Sequence, residues 1–243
     1  IVGTHVSSPL TWGIHARTDS GIISDNDIQG KRYAVSRLLS GSHLMATVHA
    51  HQQGWATPIQ PQRLVIANNI DGARASMSRG DSDVFLWEKY TTKYVVDSGE
   101  WARVGEVVTP WPCFVVAASA SCLRSKSQCD ALKVMMSVMA KVCISFMENE
   151  GDKTVTTVAD RCGLSVDDAR EWFSSVRVGT RPSVQRQALK DVIKALKAVN
   201  VIRGVDPLYP PRQPLGPPDG NLAKAATAKE DDQGDDNEED DVE

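Results

Sequence analysis

Up to Ala118, short apolar runs alternate with segments of helical period, and this alternation restricts the fold more than any other feature of the chain. Ile1–Val6, Leu10–Ala16, Lys31–Ser36, Arg63–Ala67, Asp83–Trp87, Arg103–Thr109 and Cys113–Ala118 read as strands. His43–Gln53 reads as a helix, with Ser42 as its N-cap and Gly54 as its stop. A shorter helix is expected from an Asp71 cap to Gly80, and a third over Glu88–Val96 before Asp97-Ser98-Gly99. Strands alternating with helices predict an α/β fold with a largely parallel sheet and helices on its faces. A compact unit from Arg17 to Val108 is then entered by the strand Leu10–Ala16 and left by Cys113–Ala118, which together are expected to form a two-stranded hinge.

The second half changes character. Cys129–Glu148 is apolar at Leu132, Met135, Met136, Met139, Val142, Cys143 and Phe146, a spacing that buries one helix face. Val155–Arg161, Val166–Ser175 and Val184–Val199 are further helices. Six prolines in 205–218 predict an extended linker, and 219–243 has too little apolar surface to fold. The expected organisation is residues 1–16 as the incoming hinge and end of a first lobe, and 17–108 as an α/β second lobe. Residues 109–204 are the returning hinge and helical part of the first lobe, and 205–243 the linker and disordered acidic tail. Ile1-Val2-Gly3-Thr4 reads as the middle of a strand, so a further N-terminal part is expected to precede it.

Charge excludes some functions. Residues 230–243 hold ten acids and no base, which leaves 27 bases against 21 acids in the other 229 residues. That excess is too mild for a dedicated nucleic-acid binder. Nor does any apolar run approach the length of a membrane-spanning helix. The five cysteines (Cys113, Cys122, Cys129, Cys143, Cys162) have no zinc-ligand spacing. Free thiols and the lack of a visible signal peptide lead us to expect a cytoplasmic protein. The acidic tail is a solvating segment that also suits a basic protein partner.

Four groups of residues offer chemistry. Ser36, Ser40, Ser42 and His43 lie in a loop that follows a strand and opens a helix, where free amides and the helix dipole favour an anion or a polar ligand edge. Trp87 and Glu88 close a strand at the same sheet edge: an indole stacks on a flat heterocycle, and a carboxylate accepts from its exocyclic amine. Trp111, between Pro110 and Pro112, and Trp12, on the incoming strand, are placed to face the same cleft. His49 and His51, two apart on one helix, point to different faces and make no metal pair. Val158–Ser165 followed by Val166–Phe173 has helix-turn-helix spacing, but Asp167, Asp168 and Glu171 would meet phosphates with the wrong sign, so two packed helices are expected. No catalytic constellation, cofactor motif or metal site is read.

Several of these stretches carry a resemblance. Ile1-Val2-Gly3-Thr4 with Ser8-Pro9-Leu10-Thr11-Trp12, Asp27–Arg32 with Ser36-Arg37 and Ser40-Gly41-Ser42-His43, Gln53-Gly54-Trp55, Phe85–Lys93 and Thr109-Pro110-Trp111-Pro112 resemble a eukaryotic, fungal-type family of periplasmic-binding-protein-like proteins. This is the type II solute-binding fold, related to thiamine-pyrimidine synthases and to sulfonate and nitrate binding proteins. The resemblance covers about residues 1–202. It implies two α/β lobes, a hinge and a ligand cleft between them, with part of the first lobe built from a preceding N-terminal segment. The cysteine-rich iron motif of the synthases is not found here, which argues against that activity. The resemblance implies a non-catalytic, intracellular binder of an aminopyrimidine-like heterocycle or small oxyanion. An enzyme of thiamine-pyrimidine formation, or an interaction scaffold using the acidic tail, are the alternatives.

Overall fold

Several strands of the first half, such as Tyr33-Ala34-Val35 and Val84-Phe85-Leu86-Trp87, are unbroken apolar runs, so their alternating side chains put apolar surface on both faces of a sheet. The computed structural model describes residues 1–148, 152–178, 186–199 and 202. Five strands, β2 (Thr11–Arg17), β3 (Tyr33–Val35), β4 (Leu64–Ile66), β5 (Val84–Glu88) and β6 (Trp101–Val108), form one sheet in the order β4-β3-β5-β2-β6. β3 is parallel to β4 and β5, and β2 is antiparallel to β5 and β6. Four strands therefore share one direction, as helical crossovers require. β2 alone opposes them, so the sheet is mixed. It enters before any crossover and inserts between β5 and β6.

Helices cover both faces. α1 (Gly41–Gln52) packs on the face carrying Ile14, Val35, Val84 and Leu86. α2 (Ile70–Ser78) and α3 (Lys93–Asp97) cover the other, where Ala34, Phe85 and Trp101 meet Met77 and Val95. Each large side chain so buried contributes roughly 1.5–3 kcal/mol. The caps differ from expectation. Ser40 caps α1, accepting from the His43 amide at 3.5 Å, while the Ser42 hydroxyl accepts from the Ser36 amide at 3.0 Å. Asn69, not Asp71, caps α2, accepting from the Gly72 amide at 2.8 Å. The third helix is shorter than expected because Glu88 holds the following residues in a turn: its Oε2 accepts from the amides of Tyr90 and Thr91.

The two-stranded element is not made from the expected strands. β2 is an interior strand, buried over Gly13–Ala16. The pair outside the main sheet is β1 (Gly3–Val6) with β7 (Phe114–Val116), antiparallel. Between the two sheets the chain crosses twice, and the crossings are bonded to each other. The Leu10 amide donates to Thr109 Oγ1 at 2.8 Å, the Thr109 amide to the Leu10 carbonyl at 3.0 Å, and the Cys113 amide to the Ser8 carbonyl at 3.2 Å.

Beyond β7 the described chain is helical: α4 (Ala120–Arg124), α5 (Lys126–Glu148), α6 (Asp152–Cys162), α7 (Val166–Ser175) and α8 (Arg186–Ala198). Leu132 and Met136 of α5 pack on Val2, and Phe146 joins the cluster in which α6 and α7 meet through Val158, Ala159 and Ala169. The α5 stripe is only partly covered: Met135 and Val142 are 45% and 62% exposed. Among the described residues no helix is long and apolar enough to cross a membrane. Residues 184–185 of the last expected helix, and the expected linker and acidic tail beyond residue 203, lie outside the described residues.

Candidate functional site

Trp12 at the start of β2 is paired across the sheet with Glu88, and Gly13 with Trp87, at the end of β5. This register sets the two indoles edge to face, with centroids 6.2 Å apart. Phe85 stacks on Trp87 at 5.2 Å from beneath and fixes its plane. The six-membered ring of Trp12 lies against Gly41 at the first turn of α1, where a β-carbon would come within 2.7 Å of it. Only glycine permits that approach. On the crossover, Thr109 Oγ1 donates to the Trp111 carbonyl at 3.1 Å and so holds the Pro-Trp-Pro segment against the lobe.

These residues enclose one cavity of about 420 Å³, lined by Trp12, Trp87, Glu88 and Trp111 together with Leu10, Gly41, Leu44, Met45, Thr91, Thr109, Cys113 and Phe114. The size suits a small organic ligand, and the walls are mostly apolar with a few polar groups, as in small-molecule sites generally. Two of those groups stand out. Among the described residues, buried Trp12 Nε1 has no hydrogen-bond partner. Glu88 Oε2 takes three bonds, from the Tyr90 and Thr91 amides at 3.1 and 2.7 Å and from Thr91 Oγ1 at 2.6 Å. Among the described residues no bond is drawn to Oε1. Burial pushes the Cys113 thiol up to about 11, so it stays protonated at neutral pH.

Four of the expected site residues, Trp12, Trp87, Glu88 and Trp111, thus line the cavity. Ser36, Ser40, Ser42 and His43 do not. The three hydroxyls are buried against one another, with Ser40 Oγ and Ser42 Oγ 3.0 Å apart, and His43 Nδ1 accepts from the Leu39 amide at 3.0 Å. Of that loop only Gly41 reaches the lining. Thr109 and Cys113 were not singled out from sequence. They flank the Pro-Trp-Pro segment, and that adjacency was the available signal.

A second polar cluster joins the lobe to the helical part. Lys89 Nζ lies 2.9 Å from Glu171 and 3.2 Å from Glu106, and Lys93 Nζ lies 3.2 Å from Asp168. Of the three acids that give α7 the wrong sign for DNA, Glu171 and Asp168 are thus paired with lysines of this chain, and Asp167 lies 3.1 Å from Arg170. The bond from Lys89 holds the Glu171 carboxyl below its ordinary range; Asp168 is lowered first by the Ser165 hydroxyl and further by Lys93. His49 is buried beside Asp25, with Nε2 3.3 Å from Oδ2, and His51 is exposed. Among the described residues no group of three or more potential ligands gathers into a metal site.

A family model described as Ca3427-like PBP, for periplasmic binding protein, matches residues 12–107. Over those residues the chain is similar to the Ca3427-like family. The same relationship appears in three dimensions. The Candida albicans CA3427 gene product, which defines a family with the generic periplasmic-binding-protein fold, is 28% identical with a TM-score of 0.76, over 85% of this chain and 68% of that one. The fold is also that of the alkanesulfonate-binding protein SsuA of Xanthomonas axonopodis pv. citri, bound to MOPS: 13% identity, TM-score 0.55, 82% of this chain and 70% of that one. The periplasmic aliphatic sulphonate binding protein SsuA of Escherichia coli gives 12%, 0.50, 81% and 63%. The chain thus spans about two thirds of the length of these relatives. No curated protein matches it.

Proposed function

We propose that the chain is a solute-binding protein with no catalytic step of its own, and that the tryptophan-lined cavity at the crossover holds a flat polar heterocycle or a small anion. The observation that carries this reading is the convergence of Trp12, Trp87, Trp111 and Glu88, from β2, β5 and the crossover, on one cavity of about 420 Å³. Indole faces supply stacking, worth about 0.5–1.5 kcal/mol beyond area burial. Glu88 Oε1 accepts from an exocyclic amine. An anion is favoured at the first turn of α1, whose leading amides have no partner within the helix. The sulfonate-binding relatives support a small-ligand role in general; the aminopyrimidine is our reading of the Glu88–tryptophan geometry. A cytoplasmic setting is part of the same proposal.

Calorimetric titration of the full chain with an aminopyrimidine and with an alkanesulfonate tests it. A charge-assisted hydrogen bond contributes about 1.5–3 kcal/mol, so Glu88→Gln should weaken the aminopyrimidine roughly tenfold or more. Glutamine keeps one oxygen to accept from the turn. Trp87→Ala should do the same, and sulfonate binding should survive Glu88→Gln. Pyrimidine affinity unchanged in both variants, or no heat from either ligand at millimolar concentration, would overturn the assignment.

A further inference from the structure

Two thiols lie at the corner where α4 turns into α5, each against main-chain carbonyls. The helices are joined through Ser125, whose extended backbone folds α5 back on α4. Cys129 Sγ donates to the Cys122 carbonyl at 3.4 Å and to the Leu123 carbonyl at 3.5 Å, and Cys122 Sγ donates to the Gln128 carbonyl at 3.9 Å. Each thiol therefore lies on the main chain of the other's turn, and both are half-buried rather than sealed. The other three cysteines lack this setting. Burial raises the Cys113 and Cys143 thiols, and Cys162 is exposed on α6.

We infer that Cys122 and Cys129 are a redox-closable dithiol, which a hydroperoxide converts to a disulfide pinning α4 to α5. One thiolate attacks a peroxide oxygen, the O–O bond breaks, and the departing hydroxide takes up a proton, leaving a sulfenic acid and water. The second thiol then attacks the sulfenic sulfur; the S–S bond forms, the S–O bond breaks, and the hydroxyl leaves as water. In sum, two thiols give up two electrons and two protons, and one hydrogen peroxide becomes two waters. The bond would fix the corner that packs through Leu123 and Leu132 on Val2, which leads into β1.

The digestion pattern makes the test specific. Trypsin cuts after Arg103, Arg124, Lys126 and Lys133, which places Cys122 in the peptide 104–124 and Cys129 in 127–133. The full chain is treated with hydrogen peroxide, alkylated under native conditions and digested without reductant. The expected result is an intact mass lower by two hydrogens and a linked pair of these peptides that dithiothreitol separates. Cys113 shares the first peptide, so the link must persist in Cys113→Ser and vanish in Cys122→Ser and Cys129→Ser. Unlinked peptides in the peroxide-treated wild type, or a link lost in Cys113→Ser, would overturn the inference. Both of those readings use proteins that keep the Cys122–Cys129 pair, so they decide the question even if a variant at the corner fails to fold.

Discussion

His15 sits at the centre of the lobe, fully buried in β2 between Trp101 and Phe85. Its Nδ1 donates to the Phe85 carbonyl at 3.1 Å, and its Nε2 lies 2.9 Å from Thr92 Oγ1; burial favours the neutral ring, whose Nε2 accepts from that hydroxyl. Burial lowers its pKa from 6.5 to about 4, against the Phe85 bond that raises it and with a smaller lowering by Arg103. The unfolded chain therefore binds a proton below 6.5 that the folded chain refuses until about 4. Stability present above 6.5 is lost as pH falls through that window. At 1.36 kcal/mol per unit the full loss is about 3 kcal/mol, of which about 2 falls between pH 7 and pH 5. His43 and His49 are also lowered by burial, and several carboxylates titrate below this range. The measurement must therefore be a difference. Urea unfolding of wild type and His15→Gln at pH 7 and pH 5, followed by far-ultraviolet circular dichroism, cancels the groups they share. The variant should be less stable at pH 7, and the gap should shrink by about 2 kcal/mol at pH 5. A gap that is the same at both pH values would refute the neutral, pinned histidine.

Other expectations follow from contacts already described. Gly41→Val drives a side chain into the Trp12 ring and should abolish binding of any ligand in the tryptophan cavity, at an overpacking cost of about 1–3 kcal/mol read by thermal melting. Gly72→Ala places a β-carbon 1.8 Å from the Ala67 carbonyl oxygen, which cannot be absorbed by a rotamer change, so we expect a loss of roughly 2 kcal/mol or more in urea unfolding. A double-mutant cycle on Lys89→Ala and Glu171→Ala should give a coupling of about 0.2–1 kcal/mol that disappears in molar salt; a coupling insensitive to salt would contradict the exposed position of Glu171.

The layout of the lobe was legible because each strand advertises its faces. Val84 and Leu86 point to α1, and Phe85 and Trp87 to the opposite cluster, as simple alternation requires. What the sequence does not encode locally is direction. Nothing within Leu10–Ala16 says that this strand will insert, reversed, between two later ones. That depends on where the chain enters the sheet. Cap positions were missed for a related reason. Ser40, Ser42, Asn69 and Asp71 all have side chains able to cap, and the choice depends on which residue leaves the preceding strand with extended backbone. The α5 stripe is read as one buried face, yet Leu132, Met136 and Cys143 are buried while Met135 and Val142 remain exposed. Periodicity reports that a face is apolar, not what covers it.

The division within the candidate site has a sharper cause. A tryptophan at a strand end has too much surface to be absorbed by its own turn, so Trp12, Trp87 and Trp111 project into the space between elements, and reading them as a cluster needed only the sheet order. A serine ahead of a helix is different, because its hydroxyl has local work available. Leu39 has φ 61°, and the tight turn it makes brings Ser40 over the amides of α1 and Ser42 back onto Ser36. Those hydroxyls are needed by the polypeptide itself. Of that loop only Gly41 reaches the cavity, where it lies against the Trp12 ring. Ser40→Ala should therefore cost about 1 kcal/mol of stability, as a lost cap does, while leaving ligand affinity nearly unchanged. Gly41→Val should do the reverse of that second outcome and remove binding. Affinity that fell with Ser40→Ala at unchanged stability would return the hydroxyl to the site and move the ligand off the indoles toward the serine loop.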